Sequence, residues 1–258
     1  MKNTILGAIV GDVIGSIYEW DNYRAKDFEF CSPKCDFTDD TVMTIAVAKS
    51  LMNNEDMSAT LKDFGRRYPG RGYGGMFVYW LESENTKPYN SFGNGSAMRT
   101  SAAGFMAKNL SEAMILAEQS AIVTHNHSEG IKGAQATAVA IYLAKSGFDK
   151  DYIRDYITTT FEYNLDFTCD EIRDSYIFNE TCQETVPQSI VAFLDSTDFE
   201  DAIRNAISIG GDSDTVACIT GSIASAFYKD IPDDIRDFVM NILPKEFQDI
   251  ILEFERKY

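Results

Sequence analysis

Apolar residues along this chain recur in steps of three and four rather than in alternation. The clearest stretch passes from Val216 through Ile219, Thr220, Ile223 and Ala224 to Phe227, a spacing that lines one face of an α-helix. Residues 113–123, 130–144, 152–161, 189–194, 199–209, 235–243 and 247–254 repeat it less perfectly. A hairpin would need a turn dipeptide between two alternating β-branched runs. The Asn94-Gly95 dipeptide sits instead within Phe92-Gly93-Asn94-Gly95-Ser96, with no alternating strand before it. The pattern predicts an all-α fold of about a dozen helices in one domain over residues 1–258, undivided by any linker rich in Pro, Gly or Ser. A second periodicity, the four-residue stripe Gly7, Gly11 and Gly15, predicts a helix face that another helix approaches closely.

Composition narrows the class. With 258 residues, 45% of them apolar and 24% charged, the chain can bury a core without a disulfide or metal staple. Forty acids against 23 bases leave a net charge of −17. That excludes a phosphate-neutralising surface for nucleic acid and adhesion to an anionic membrane. Five cysteines, of which only Cys31 and Cys35 lie close together, form no disulfide framework and suit a reducing cytoplasm. The apolar run at residues 5–10 imitates a signal peptide, but Asp12 interrupts it and no small-x-small cleavage site follows. No apolar stretch approaches the ~20 residues of a bilayer span. A soluble, monomeric, cytoplasmic protein is expected.

Two short acidic clusters carry the candidate chemistry. Thr38-Asp39-Asp40-Thr41-Val42 and Asp212-Ser213-Asp214-Thr215-Val216 each precede an apolar helix, and both end in Asp-Thr-Val. A helix cap explains one such side chain. It does not explain two carboxylates at each helix mouth, which repel unless something cationic lies between them. Carboxylate and hydroxyl oxygens suit hard ions such as Mg²⁺, Mn²⁺ or Ca²⁺. No H-E-x-x-H and no EF-hand loop occurs, and Cys31-x-x-x-Cys35 lacks a second pair, so zinc and calmodulin-type sites lack support. Whether the two clusters meet cannot be read from their spacing.

These residues, in this order, resemble the ADP-ribosylglycohydrolase family. The pieces that carry the resemblance are Gly7-Ala8-Ile9-Val10-Gly11-Asp12 through Gly15 to Glu19, then Phe37-Thr38-Asp39-Asp40-Thr41. They continue with Gly70-Arg71-Gly72-Tyr73-Gly74-Gly75, with Phe92-Gly93-Asn94-Gly95-Ser96-Ala97-Met98-Arg99, and with Gly210-Gly211-Asp212-Ser213-Asp214-Thr215. Thr124-His125 before a Gly/Ala-rich helix also fits. The resemblance implies an all-α orthogonal bundle with two divalent cations, Mg²⁺ or Mn²⁺, at the floor of an ADP-ribose cleft. It implies Thr38, Asp39 and Asp40 as one half of the ligand set and Asp212, Asp214 and Thr215 as the other. Catalysis would involve Asp39, Asp40 and Asp214, with Glu19 as general base.

The same resemblance distributes the substrate. Gly70, Gly72, Tyr73, Gly74 and Gly75 would form an anion nest for phosphate, as glycines let backbone N–H groups converge without Cβ clash. Phe92 would stack under adenine, Gly93, Asn94 and Gly95 would hold the diphosphate-ribose, and His125 would lie near the phosphates. On residue type alone, 70–75 could equally be a plain loop, Glu19 a solvated helix-end acid and Phe92 a core ring. The expected reaction is hydrolysis of the glycosidic bond between ADP-ribose and an acceptor, either an ADP-ribosylated protein, with arginine slightly favoured, or a small ADP-ribose conjugate. The competing readings are a non-catalytic ADP-ribose binder, a crystallin-like structural relative and a hydrolase of a small ADP-ribose derivative.

Overall fold

A computed structural model describes residues 4–258; Met1, Lys2 and Asn3, the first residues of the signal-peptide-like start, lie outside it. Among the described residues are fifteen helices and no strand. The first six are α1 (Leu6–Gly15), α2 (Asp39–Asn53), α3 (Met57–Arg67), α4 (Gly75–Glu82), α5 (Gly95–Met98) and α6 (Ser101–Met106). Then follow α7 (Leu110–Ala121), α8 (Ser128–Lys145), α9 (Lys150–Phe161), α10 (Cys169–Ile172) and α11 (Cys182–Leu194). The last four are α12 (Phe199–Ser208), α13 (Ser213–Tyr228), α14 (Asp233–Ile242) and α15 (Lys245–Lys257). An isolated bridge between Gly93 and Thr181 is the only β-type pairing among the described residues. None of these helices is long and apolar enough to cross a membrane.

The molecule is organised around α13. Its apolar stripe predicts one buried face, yet every residue from Ser213 to Ala226 is buried. The polar positions on the other faces make this tolerable by bonding to backbone. Ser222 donates to the Ile219 carbonyl (2.7 Å) and Thr220 to that of Ser189 (2.9 Å), so no buried hydroxyl there is left desolvated and unpaired. Helices α1, α8, α11 and α12 pack around α13.

The glycine stripe sets how closely α1 approaches. A Cβ at Gly7 would lie 2.4 Å from the Gly221 carbonyl oxygen, one at Gly11 2.0 Å from that of Ala217, and one at Gly15 2.5 Å from the Asp214 Cα. These are backbone clashes, which no side-chain rearrangement relieves. The two helices therefore run nearly in backbone contact, and the last step of the stripe ends beside the second acidic cluster. Packing function and site geometry coincide here.

Elsewhere the periodicity places elements well and boundaries less well. Helix α11 starts at Cys182 rather than 189, because Pro187 sits inside it at the cost of one N–H bond to the preceding turn. Helices α3, α12, α14 and α15 carry one buried face and one charged face, as expected for an outer layer.

Candidate metal and anion cleft

The two acidic clusters meet. Helices α2 and α13 point their amino termini at one another, and the Thr215 hydroxyl donates to Asp40 Oδ2 at 3.2 Å across 175 residues of chain. Capping accounts for little of the acid. At α2 the cap is Thr38, which accepts from the Asp40 N–H at 3.3 Å, leaving Asp39 and Asp40 surplus. At α13 the cap position is Asp212, whose side chain makes no capping bond. It accepts instead from Asn94 Nδ2 at 2.7 Å.

Asp12 holds this arrangement from beneath. It is fully buried in α1 and accepts from the Thr38 N–H (3.0 Å), the Thr38 hydroxyl (2.5 Å), the Thr41 N–H (3.0 Å) and the Thr41 hydroxyl. One carboxylate thus fixes the first turn of α2, three of the four donors converging on Oδ2 and one on Oδ1. In the sequence Asp12 stands as the acid that interrupts an apolar run and closes the Gly7–Asp12 motif, with nothing local to announce its partners Thr38 and Thr41. The Thr38 hydroxyl, expected among the metal ligands, donates to Asp12 and accepts the Asp40 N–H, which leaves its second lone pair for a cation.

One side of a cleft of about 860 Å³, measured out to its open mouth, is lined by Glu19, Asp39, Asp40, Asp212, Asp214 and Thr215. Oxygens of Glu19, Asp212 and Asp214 lie within 4.8 Å of one another. Asp40 Oδ1 is buried with no hydrogen-bond partner, and among the described residues no lysine or arginine pairs with any of these acids. Burial, with the neighbouring acids adding to it, raises Asp39, Asp40 and Asp214 well above the usual carboxylate range. Burial lifts Asp212 to about 7. Glu19 is pushed up to about 8, by burial first and then by Asp214, Asp12 and Glu180. An orphaned buried oxygen within a set of hard oxygen donors that raise one another is the arrangement a divalent cation relieves.

The same cleft also offers donors. Gly72, Gly74 and Gly75 line it at the amino terminus of α4, and Gly93, Asn94 and Gly95 line it at that of α5, with His125 and Arg99 behind them. The glycine-rich segment is therefore a loop running into a helix. Gly72 has φ +101°, and a Cβ there would sit 3.1 Å from Asp39 Oδ1, so glycine keeps the loop clear of the acids. Arg71 pins the loop to α2: its guanidinium pairs with Asp36 (2.6 Å) and lies over the Phe37 ring, while its carbonyl accepts the Asp39 N–H (2.8 Å).

Three expected ligand residues do not line the cleft. Gly70 faces open space with φ +73°, and Tyr73 bonds the Tyr68 carbonyl and stacks on Phe77. Phe92 is 44% exposed, with its ring 5.2 Å from that of His127, so it is not a core residue and stands at the rim. Sequence reasoning also passed over Glu180, Tyr89 and Arg99, all of which line the cleft. Glu180 arrives through backbone pairing of 92–94 with 180–182 (Asn94 N–H to Glu180 carbonyl, 2.7 Å), which no local pattern announces.

An all-α fold in which two acidic helix mouths meet beside a glycine-framed cleft has counterparts among known proteins. The ADP-ribosylglycohydrolase family profile matches residues 1–257, and the chain belongs to that family. It is 25% identical to the ADP-ribosylhydrolase ARH3 of Xenopus tropicalis, over 88% of this chain and 86% of that protein. It is 26% identical to the ADP-ribosylarginine hydrolase Tri1 of Pseudomonas putida, over 88% of this chain and 70% of that protein. Among solved structures, an ADP-ribosylglycohydrolase-related protein complex shares the fold, with a TM-score of 0.72 and 22% identity over 98% of this chain and 95% of that one.

Proposed function

We propose that this protein is a metal-dependent hydrolase that cleaves the glycosidic bond between ADP-ribose and an acceptor side chain, with arginine the favoured acceptor. The observation that carries the reading is the mixed lining of one cleft: surplus carboxylates, and beside them glycine-framed helix termini with His125 and Arg99. ADP-ribose has the matching asymmetry, a reactive ribose joined to a diphosphate. Membership of the family supports hydrolysis of an ADP-ribose linkage. The full set of mutually repelling acids argues against a crystallin-like structural role, which has no use for that repulsion.

Thr38, Asp39, Asp40, Asp212, Asp214 and Thr215 would hold two divalent cations, Mg²⁺ or Mn²⁺. When bound, such ions supply positive charge that orders the hydroxyls of the ribose. The chain's own groups supply the rest. Glycosidic cleavage passes through an oxocarbenium-like state that nearby carboxylates stabilise. Glu19 lies on the turn after α1, half-buried, and the raised affinity for a proton noted above suits a general base that accepts one from attacking water. Asn22 fixes that turn by donating to the Glu19 and Gly211 carbonyls (3.1 and 3.0 Å) and accepting the Gly211 N–H (2.9 Å). Gly95 and the first turn of α4 would bind the diphosphate through backbone N–H groups, while Gly93 and Asn94, whose N–H groups go to the Ser91 hydroxyl and the Glu180 carbonyl, would shape the turn beside it.

Arginine is favoured because the mouth near Glu19 is acidic and aromatic. Glu180 lies there with Glu19, and Trp20, 79% exposed, stacks on Phe178 at 5.1 Å. Carboxylates with exposed π faces suit a guanidinium leaving group better than a hydroxyl. Incubation with arginine- and serine-ADP-ribosylated peptides, with and without Mn²⁺, tests this. Metal-dependent ADP-ribose release faster from arginine is expected. Release from neither peptide, with no shift in melting temperature by Mg²⁺ or Mn²⁺, would reduce the protein to a binding or structural relative.

A further inference from the structure

Arg99 is an unusual group for this molecule. It is only 1% exposed, yet no carboxylate pairs with it among the described residues. Its Nη2 donates to the Ser120 carbonyl (2.7 Å) and to the Thr124 hydroxyl (2.8 Å), and its Nε has no partner. A buried cation without a counter-ion is costly, so its retention beside an anion-binding cleft asks for an explanation.

The hydrogen-bond directions supply one. A guanidinium only donates, so toward Arg99 the Thr124 oxygen is an acceptor. Its single proton is then free for its other neighbour, His125 Nδ1, at 2.7 Å. We infer that Arg99 acts through Thr124 as a positioning relay that fixes His125 in the tautomer protonated at Nε2, presenting a neutral N–H donor to the diphosphate side of the cleft. The ligand's identity rests on the ADP-ribose reading above; the relay itself does not.

Two further observations agree. Nε2 is directed at the Gly93-Asn94-Gly95 turn, where a Cβ at Gly95 would stand 3.2 Å away and one at Gly93 3.5 Å. Side chains there would crowd the nitrogen, whereas glycine at both positions leaves it open to the cleft. Burial, aided by the Arg99 charge, also lowers the proton affinity of His125 well below the usual histidine range, which keeps the ring neutral. In that state the tautomer matters, because the wrong one would turn a lone pair toward an anion.

The test uses the whole protein labelled with ¹⁵N at histidine. Long-range ¹H–¹⁵N correlation separates the two neutral tautomers, and His127 is removed from the assignment by a His127→Gln control. Nε2–H is expected for His125 in the parent. In Thr124→Val the signal should move to a tautomer mixture and ADP-ribose affinity should fall about tenfold, the scale of one lost hydrogen bond. Thr124→Ser should restore both, while Mn²⁺ affinity stays constant throughout. A parent with Nδ1–H, or a Thr124→Val protein that keeps the Nε2–H tautomer and full affinity, overturns the relay. Failure of the parent to bind ADP-ribose would instead sink the proposed function, and the tautomer measurement would still decide the relay.

Discussion

Asp40 shows how much a single residue can reveal about this site. One of its oxygens accepts a hydrogen bond from the Thr215 hydroxyl and the other is buried without a partner. Replacing both surplus acids, Asp39→Asn with Asp40→Asn, should abolish Mn²⁺ binding by calorimetry and raise the melting temperature of the metal-free protein, because like-charge repulsion is relieved. Undiminished Mn²⁺ binding by the double variant would dismiss the metal assignment. At the other end of the ligand, Phe92→Ala should weaken ADP-ribose by about 1–3 kcal/mol, if the ring stacks on adenine as aromatic rings do on nucleobases. Its stability should change far less than the ~3–5 kcal/mol of a buried Phe, as the ring is exposed. An unchanged ADP-ribose affinity would remove Phe92 from the site. Both acidic pairs were legible in the sequence because they exceed what a cap needs. Asp12 was not, since its job is defined by Thr38 and Thr41, which only the fold brings to it.

At the scale of elements, the glycines separate into two kinds that sequence alone does not distinguish. Those of α1 exist for backbone contact with α13, and those at the start of α4 for an open cleft wall. Gly11→Ala puts a methyl 2.0 Å from the Ala217 carbonyl oxygen and should destabilise by at least the ~1–3 kcal/mol typical of overpacking. It should also weaken Mn²⁺ binding, since α1 carries Asp12 and α13 carries Asp212 and Asp214. Gly75→Ala meets nothing within 4 Å and occupies the first residue of a helix, so the melting temperature should hold while ADP-ribose affinity falls. Denaturant melts beside titrations of both variants check this, and the reverse pattern would mean the two glycine groups are wrongly assigned. The stripe at 7, 11 and 15 was readable as a packing surface. Helix α4 is hidden because the glycine-rich 70–75 runs straight into it, and α11 begins before the periodic run at 189–194, with Pro187 inside it.

For the molecule as a whole, the net charge of −17 is spread over the surface, but its consequences concentrate where α2 and α13 meet. Glu19 rises from 4.5 to about 8 and Asp212 from 3.8 to about 7, both chiefly through burial, and Asp39, Asp40 and Asp214 rise as well. An acid that binds its proton more tightly when folded makes the folded state hold more protons than the unfolded one between the two values. Stability is then fully present below about pH 4 for these groups and is lost as pH climbs through the folded values near 7 and 8. Without metal, the melting temperature should therefore decline from pH 5 to pH 8, opposite to the trend of ordinary ion-paired carboxylates. A bound divalent cation holds the same acids ionised in the folded state, as they already are in the unfolded chain above about pH 5, so in saturating Mn²⁺ the melting temperature should stay nearly level over that range. Thermal scans in chelator and in Mn²⁺ at each pH would show the two curves diverging as pH rises. Parallel curves would mean that the acids at the two helix mouths titrate independently of any metal, and the cation site would have to be sought elsewhere.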